Sequence, residues 1–211
     1  MTNIPPILLE DEHLVAFDKP SGLLSVPGIG PEKADCLVAR AEKAVSGARI
    51  VHRLDRDTSG VIVLARNADV HRELSRQFHD REVEKAYVAV VAGHVLGSDG
   101  RIDAPLRKDM DNPPRHLVDH VQGKPARTHW HVEDTYEEPP RTRLSFTPET
   151  GRTHQLRIHA CVLGHPIVGD DLYAPRDIVD LGERLMLHAE RLTFTHPVSG
   201  ERICVHAECP F

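Results

Sequence analysis

A polar stretch that opens directly onto a buried strand is the strongest constraint in this sequence. The stretch His52-Arg53-Leu54-Asp55-Arg56-Asp57-Thr58-Ser59-Gly60 is followed at once by the apolar run Val61-Ile62-Val63-Leu64-Ala65. Such an apolar run is typical of a strand inside a sheet. Polar side chains just before it lie at the edge of the sheet where the strand begins, and a fold can hold reactive groups in fixed positions there. A helix cap or a turn uses the same Asp, Thr, Ser and Gly residues, so this stretch alone leaves both interpretations open.

The charge balance limits the kinds of partner that the chain can bind. Its 211 residues carry a formal net charge of −6 at pH 7, and 40% of them are hydrophobic. This composition fits a globular domain with a real core. A general electrostatic binder of nucleic acid is usually basic overall. The sequence therefore argues against general binding of that kind and leaves room for a local basic cleft.

The cysteines and histidines give no sign of a metal site. The four cysteines, Cys36, Cys161, Cys204 and Cys209, show no CxxC spacing, and no HExxH pair is present. Reduced thiols fit this pattern better than a disulfide framework does. The N-terminal segment 1–6 lacks the basic and apolar regions of a signal peptide. We therefore expect a cytoplasmic protein with no metal and no membrane contact.

The apolar patterns predict more strands than helices. Expected strands are 7–9, 14–17, 61–65, 84–91, 127–132, 143–147, 185–194 and 202–206. Expected helices are 34–45, 67–79 and one from Thr150 or Thr153 to Leu163, on which Thr153 and Arg157 would share a face. The stretch 97–114 is expected to be irregular. Several strands are connected as hairpins, which indicates an α+β fold on a mostly antiparallel sheet.

The predicted helix 67–79 has a charged face with two interpretations. Arg72, Arg76 and Arg81 alternate there with Glu73 and Asp80. Mixed charges of this kind most often form a solvated, ion-paired face. The same arginines could instead face RNA, and the sequence does not decide between the two.

Five separated motifs together resemble the RluA family of RNA pseudouridine synthases. In chain order they are Lys19-Pro20-Ser21-Gly22-Leu23-Leu24, the segment 52–60, Lys85-Ala86-Tyr87, the segment 151–159 and Gly164-His165-Pro166-Ile167-Val168-Gly169-Asp170. The resemblance runs from about residue 8 to the C-terminus. It implies a pseudouridine synthase fold, with a bent, mostly antiparallel sheet in two lobes, flanking helices and a catalytic cleft. It also implies one catalytic domain over 1–211, without an accessory N-terminal RNA-binding domain.

The resemblance also implies an activity and its residues. The chain is expected to isomerise uridines to pseudouridine in a tRNA anticodon stem-loop, in large-subunit rRNA or in both, without a cofactor and as a monomer. Asp55 matches the catalytic carboxylate, Arg157 the arginine that pairs with it, and Tyr87 the aromatic ring that stacks on the target base. Arg53 is expected to occupy the space of the flipped base. Two further residues in the 151–159 motif, Arg152 and His154, are expected to bind RNA.

Two departures and two competing functions remain. Asp18 stands where the family often has Asn, and the stretch 107–118 is less basic than expected for a loop that contacts RNA. A nucleoside hydrolase could use Asp55 as nucleophile and would need a second carboxylate as acid, for which Asp57 is available. A non-catalytic RNA-binding module would need basic and aromatic residues but not Asp55.

Overall fold

The computed structural model describes residues 4–211, so the first half of the segment expected to lack a signal peptide lies outside the described residues. The chain divides into two compact units, unit 1 (residues 4–85 and 188–210) and unit 2 (residues 86–187 and Phe211). Among residues 4–211, no helix is long and apolar enough to cross a membrane.

The elements combine runs of strands with a few helices, as is typical of an α+β fold. In order they are β1 Ile7–Glu10, β2 Leu14–Lys19, α1 Leu37–Ala44, β3 Arg49–Ile50, β4 Ser59–Ala65, α2 Ala68–Asp80, β5 Glu84–Ala92, β6 Asp99–Asp103, β7 Leu106–Lys108, β8 His116–Val118, β9 Arg127–Tyr136, β10 Arg141–Pro148, α3 Gln155–Val162, α4 Arg176–Val179, β11 Leu187–Thr195 and β12 Arg202–His206. The three predicted helices and all of the predicted strands are present, with shifted ends.

Unit 1 is a sheet built around the fully buried strand β4. Strand β2 pairs with β1 and β4, β3 with β4, and β11 with β12, all antiparallel. Strand β11 runs parallel to β4, so the sheet is mostly but not wholly antiparallel. Helix α2 buries Val70 and Leu74 in the core beside Val63 and Phe194. Each such apolar side chain contributes about 1.5–3 kcal/mol to the free energy of folding.

The close approach of β11 explains why the polar stretch ends in glycine at position 60. The φ of Gly60 is +108°, and an added Cβ would lie 2.2 Å from the carbonyl oxygen of Ala189. Ala189 is the β11 residue paired with Gly60 in the parallel register. A side chain here would therefore clash with the neighbouring backbone and separate β4 from β11 directly after Ser59.

The charged face of α2 is an ion-paired surface. Arg76 contacts the carboxylates of Glu73, Asp80 and Glu82 at 2.7–3.0 Å. These bonds raise the pKa of the guanidinium, the one to Glu73 most. The ion-paired interpretation is supported, because three carboxylates offset the positive charge of Arg76 and leave little of it to attract the phosphates of RNA.

Unit 2 has strands where the sequence predicted an irregular stretch. Strands β5, β10, β9 and β6 pair antiparallel in that order, and β7 pairs with β8. The prediction for 97–114 was wrong, because β6 and β7 lie within it. Ile102, Ala104 and Leu106 are buried in alternation, the period of a half-buried strand, and the intervening charges and prolines masked this signal.

Helix α3 begins later than predicted, and neither threonine caps it. His154 precedes it in the left-handed region with φ 55°, which few non-glycine residues adopt. The Gln155 amide holds this end by donating to Arg127 O and Thr128 Oγ1. Its oxygen accepts from Thr150 Oγ1. Thr150 therefore bonds a side chain, not the helix backbone. Thr153 lies outside the helix and so shares no helical face with Arg157.

Candidate active site

The Asp55 loop is the connection between β3 and β4, and the backbone of its neighbours is fixed by hydrogen bonds. The buried Ser25 hydroxyl donates to Leu54 O at 2.7 Å and accepts from Leu54 N at 3.1 Å. On the other side of Asp55, the Ser21 hydroxyl donates to Asp57 O at 2.8 Å. Residues on both sides of Asp55 are thus bonded to the segment 19–25, which we call the clamp segment.

Lys19, the first residue of the clamp segment, bonds this segment to the Asp55 loop. Its side chain is fully buried, and Nζ donates to the carbonyl oxygens of Pro20, Leu23 and Arg56 at 2.7–3.0 Å. Gly22 N donates to the same Arg56 oxygen. A buried ammonium needs several acceptors to offset its lost hydration. Here the acceptors are backbone groups of both segments, so Lys19 holds the loop by its main chain.

His52 connects the start of the loop to β4. Its Nε2 accepts a hydrogen bond from Val63 N at 3.1 Å, and its ring stacks on Phe78 with centroids 4.4 Å apart. Burial, with a smaller contribution from Lys85, lowers the pKa of His52 to about 3. The ring is therefore neutral at pH 7, as an Nε2 acceptor must be.

The Asp55 carboxylate is the group that this scaffold leaves available. Asp55 is partly exposed, and within the described residues of unit 1 its carboxylate has no hydrogen bond or ion pair. Asp57 differs, because it accepts two hydrogen bonds from Arg56 at 2.9 and 3.1 Å. Asp57 is therefore engaged by a neighbouring guanidinium, which argues against it as the second catalytic carboxylate that a hydrolase would require.

In unit 2, Arg157 lies in a buried cluster with a carboxylate and an aromatic ring. Its side chain is 2% exposed and its guanidinium donates to both oxygens of Asp170, which is fully buried. Asp171 lies 3.3 Å from the same guanidinium. The ring of Tyr173 lies against it, 5.3 Å from centroid to Cζ. We call Arg157, Asp170 and Tyr173 the arginine cluster.

Asp170 is the last residue of the fifth motif, and the sequence alone assigns it no role. Its Oδ1 also accepts from Leu172 N and Tyr173 N at 3.0 and 3.1 Å. Gly169 before it has φ +76°, and an added Cβ would lie 1.9 Å from Arg184 O. The Gly-Asp order thus builds a tight turn that aims a carboxylate at Arg157. A buried arginine needs such a partner, but the sequence does not show that Arg157 is buried and so gave no signal for the role of Asp170.

The structure brings His154 to the arginine cluster as well. His154 Nδ1 lies 2.7 Å from the Tyr173 hydroxyl oxygen, and this oxygen accepts a hydrogen bond from His116 N at 2.9 Å. Burial is the main reason that the pKa of this phenol is raised, so it remains protonated and able to donate. His154 and Arg157 therefore contact the same tyrosine from the start and the interior of α3.

The other predicted RNA-binding residues occupy different surroundings. Arg53 is exposed on the Asp55 loop. Arg152 lies just before α3, and its Nε donates to Pro125 O at 3.1 Å. Both positions leave charged nitrogens accessible to a ligand.

Tyr87 lies on β5 beside the core of unit 2. It is partly buried, stands opposite Phe146 of β10 and packs against the apolar cluster that contains Leu144 and Ile167. Only part of the ring is therefore available for contact with a base. Its role in base stacking, like the pairing of Arg157 with Asp55, stays a prediction.

Comparisons with known proteins agree on one family. Residues 13–161 match a model described as RNA pseudouridylate synthase. The dual-specificity RNA pseudouridine synthase RluA of Escherichia coli is 45% identical over 205 residues, which cover 97% of this chain and 93% of that protein. The enzyme of the same name from Yersinia pestis is 43% identical and is covered to 99%.

The solved structures agree with the fold. The human protein RNA pseudouridylate synthase domain containing 1 superposes with a TM-score of 0.83 at 29% identity, over 100% of this chain and 85% of its own. The α+β arrangement is thus the pseudouridine synthase fold, as the sequence motifs implied. The chain belongs to the RluA family of RNA pseudouridine synthases, which are isomerases.

Proposed function

We propose that this chain isomerises specific uridines in structured RNA and that Asp55 is its catalytic residue. The observation that carries the proposal is the contrast within the Asp55 loop. Leu54, Arg56 and Asp57 have their backbone groups fixed by the clamp segment, whereas the carboxylate between them has no partner within unit 1. A positioned and uncommitted carboxylate suits a group that must react with a substrate.

The reaction needs such a carboxylate. The bond between ribose C1′ and N1 breaks, the uracil turns over, and C5 bonds to C1′ while the hydrogen on C5 leaves as a proton and N1 takes up a proton. Substrate and product are isomers, so the net reaction consumes no redox cofactor or cosubstrate. Asp55 can attack C1′ as nucleophiles do in retaining glycosidases, or take a ribose proton in an elimination. It can also accept the proton from C5.

We assign supporting roles to Tyr87 and Arg157. A base turned out of a folded loop loses its stacking, and an aromatic side chain replaces about 1–3 kcal/mol of it. Tyr87 is proposed as that ring. Arg157 is proposed, as the resemblance implies, as the arginine that pairs with Asp55 and orients it. Asp170 then keeps the guanidinium in a fixed orientation.

We assign RNA binding to Arg53, Arg152 and His154. Arg53 is two residues from Asp55 and exposed, which suits a side chain that fills the space of a flipped base. Arg152 and His154 flank the start of α3, and their polar atoms suit contact with the backbone. Binding should weaken as salt concentration rises, because phosphate contacts release counterions.

The proposed targets are a tRNA anticodon stem-loop, large-subunit rRNA or both. The term dual-specificity in the names of the relatives supports more than one target. We further propose that the two units act as one catalytic domain in the cytoplasm.

The function is tested with RNA tritiated at C5 of uridine. Forming the new bond expels this tritium into water, so unmodified tRNA and rRNA transcripts should release it and contain pseudouridine at defined positions. Free uridine is the control substrate. Free uracil from uridine, without pseudouridine in RNA, would support the nucleoside hydrolase instead. RNA binding with neither product would support the non-catalytic module.

A further inference from the structure

Unit 2 has a cationic recess that the proposed catalytic roles do not use. Its volume is about 420 Å³. The basic side chains that line it are contributed by β7, β8 and the loops before β9 and α3. They are Arg107, Lys108, His116, Lys124 and Arg152. The last of these is the residue already assigned to RNA, and the others come from a stretch whose sequence is not notably basic.

The recess keeps most of its positive charge. None of the described residues that line it is acidic. Arg107 is paired with Asp119, whose pKa is lowered to about 2 chiefly by that hydrogen bond. Lys108 and Lys124 are exposed, and within residues 4–211 neither has a carboxylate partner. Arg152 bonds through Nε only to a carbonyl oxygen. In a chain of net charge −6, this concentration of uncompensated cations marks a site for an anion.

The lining also indicates which part of a nucleic acid would fit. Among the described lining residues His116 alone carries a ring, so they offer no large aromatic surface to a base. Gly151 leaves open space where a Cβ would lie, and the Thr153 hydroxyl has no partner within the described residues. Ammonium and guanidinium groups with neutral donors between them suit phosphate oxygens.

We propose that this recess binds the phosphodiester backbone of the RNA substrate, with Lys108 and Lys124 as the principal contacts. The inference rests on the proposed function and extends it, since it adds a backbone contact that carries no base specificity. Two lysines of this kind position the RNA and contribute to affinity through counterion release.

The test is the salt dependence of RNA binding. Affinity for an unmodified tRNA transcript is measured from low to high salt for the wild type and for Lys108→Gln/Lys124→Gln. Loss of two phosphate contacts should flatten the log–log slope by about 1.4–1.8. The pair Lys108→Arg/Lys124→Arg keeps the charge and should keep the wild-type slope. The matched control, Lys33→Gln/Lys43→Gln, removes two exposed lysines of unit 1 and should also keep it.

The outcomes separate this inference from the proposed function. Thermal melts should match the wild type, because both recess lysines are exposed. A wild-type slope in the glutamine pair, or an equal change in the control, would overturn the inference even if the wild type makes pseudouridine. Absence of tritium release by the wild type would instead count against the proposed function, whatever the slopes.

Discussion

The Asp55 loop and the arginine cluster hold a charged residue in opposite ways. The loop is fixed through backbone groups on both sides of Asp55, by Lys19, Ser21 and Ser25. In the arginine cluster the charged side chain itself is fixed, because Asp170 takes two of its hydrogen bonds in a buried pair. The first arrangement leaves the Asp55 carboxylate without a partner in unit 1. The second holds the Arg157 guanidinium in a buried ion pair.

This difference predicts whether a substitution lowers stability or turnover. Removing the Asp170 carboxylate should cost stability, because it leaves a buried charge without its partner. Removing the Asp55 carboxylate should cost turnover and little stability, because no bond within unit 1 depends on it. The clamp segment should lie between these extremes, affecting both.

The largest loss of stability is expected for Asp170→Asn. Breaking a buried ion pair costs about 3–5 kcal/mol in the free energy of unfolding, and Asp171, which is half exposed, compensates only in part. Urea unfolding measures the change. The matched control is Asp180→Asn, which breaks the exposed pair with Arg176 and should cost about 0.5 kcal/mol or less. Equal losses in the two variants would mean that the arginine cluster is not a buried pair.

A smaller loss is expected for Ser25→Ala. The buried N–H and C=O of Leu54 both lose their hydroxyl partner, which costs about 1–3 kcal/mol in stability. Turnover should also fall, since Leu54 precedes Asp55. Ser199→Ala is the control, because this hydroxyl accepts one exposed bond in a turn. If Ser25→Ala loses stability but keeps wild-type kcat, the clamp segment does not position Asp55.

Substitutions of Tyr87 test the proposed site through its affinity for RNA. Tyr87→Ala should lose about 1–3 kcal/mol of RNA binding free energy, because the stacking surface is removed. Tyr87→Phe keeps that surface and should bind RNA as the wild type does. Binding is measured by titration with an unmodified tRNA transcript. Wild-type binding and turnover in Tyr87→Ala would leave the residue a role in the core only.

His52 predicts a pH effect on the loop. Its pKa in the folded chain is about 3, below the ordinary value near 6.5. The unfolded chain therefore binds the proton first, and the contribution of His52 to stability is complete above pH 6.5. It is lost as pH falls towards 3, at about 1.4 kcal/mol per pH unit. His52→Gln keeps an acceptor for Val63 N but does not titrate.

The unfolding free energies of the wild type and of His52→Gln are compared at pH 4, 5 and 6. The variant is expected to be less stable overall, because it loses the stack on Phe78, but to depend less steeply on pH. Parallel curves would mean that His52 is not held neutral in the fold.

Local patterns in the sequence were enough to predict the three longer helices and eight strands, but not β3, β6, β7, β8 or α4. The run at 61–65 and the stripe of Val70, Leu74 and Phe78 are periodic over short distances. The start of α3 was not predictable, because it depends on Gln155 bonds to residues 27 and 28 positions earlier. The partnership of Arg157 with Asp170 and the gathering of Lys124 beside Lys108 were missed for the same reason. Both depend on tertiary contacts that no local pattern contains.

The central claim is that Asp55 is positioned by its backbone and acts through its carboxylate. Asp55→Asn keeps the size of the side chain but cannot act as an anionic nucleophile or base. The direct measurement is tritium release from C5-labelled RNA by wild type and variant, beside a thermal melt and an RNA titration. We expect melting and binding close to those of the wild type and no release of tritium. Release at the wild-type rate by folded Asp55→Asn would contradict the account.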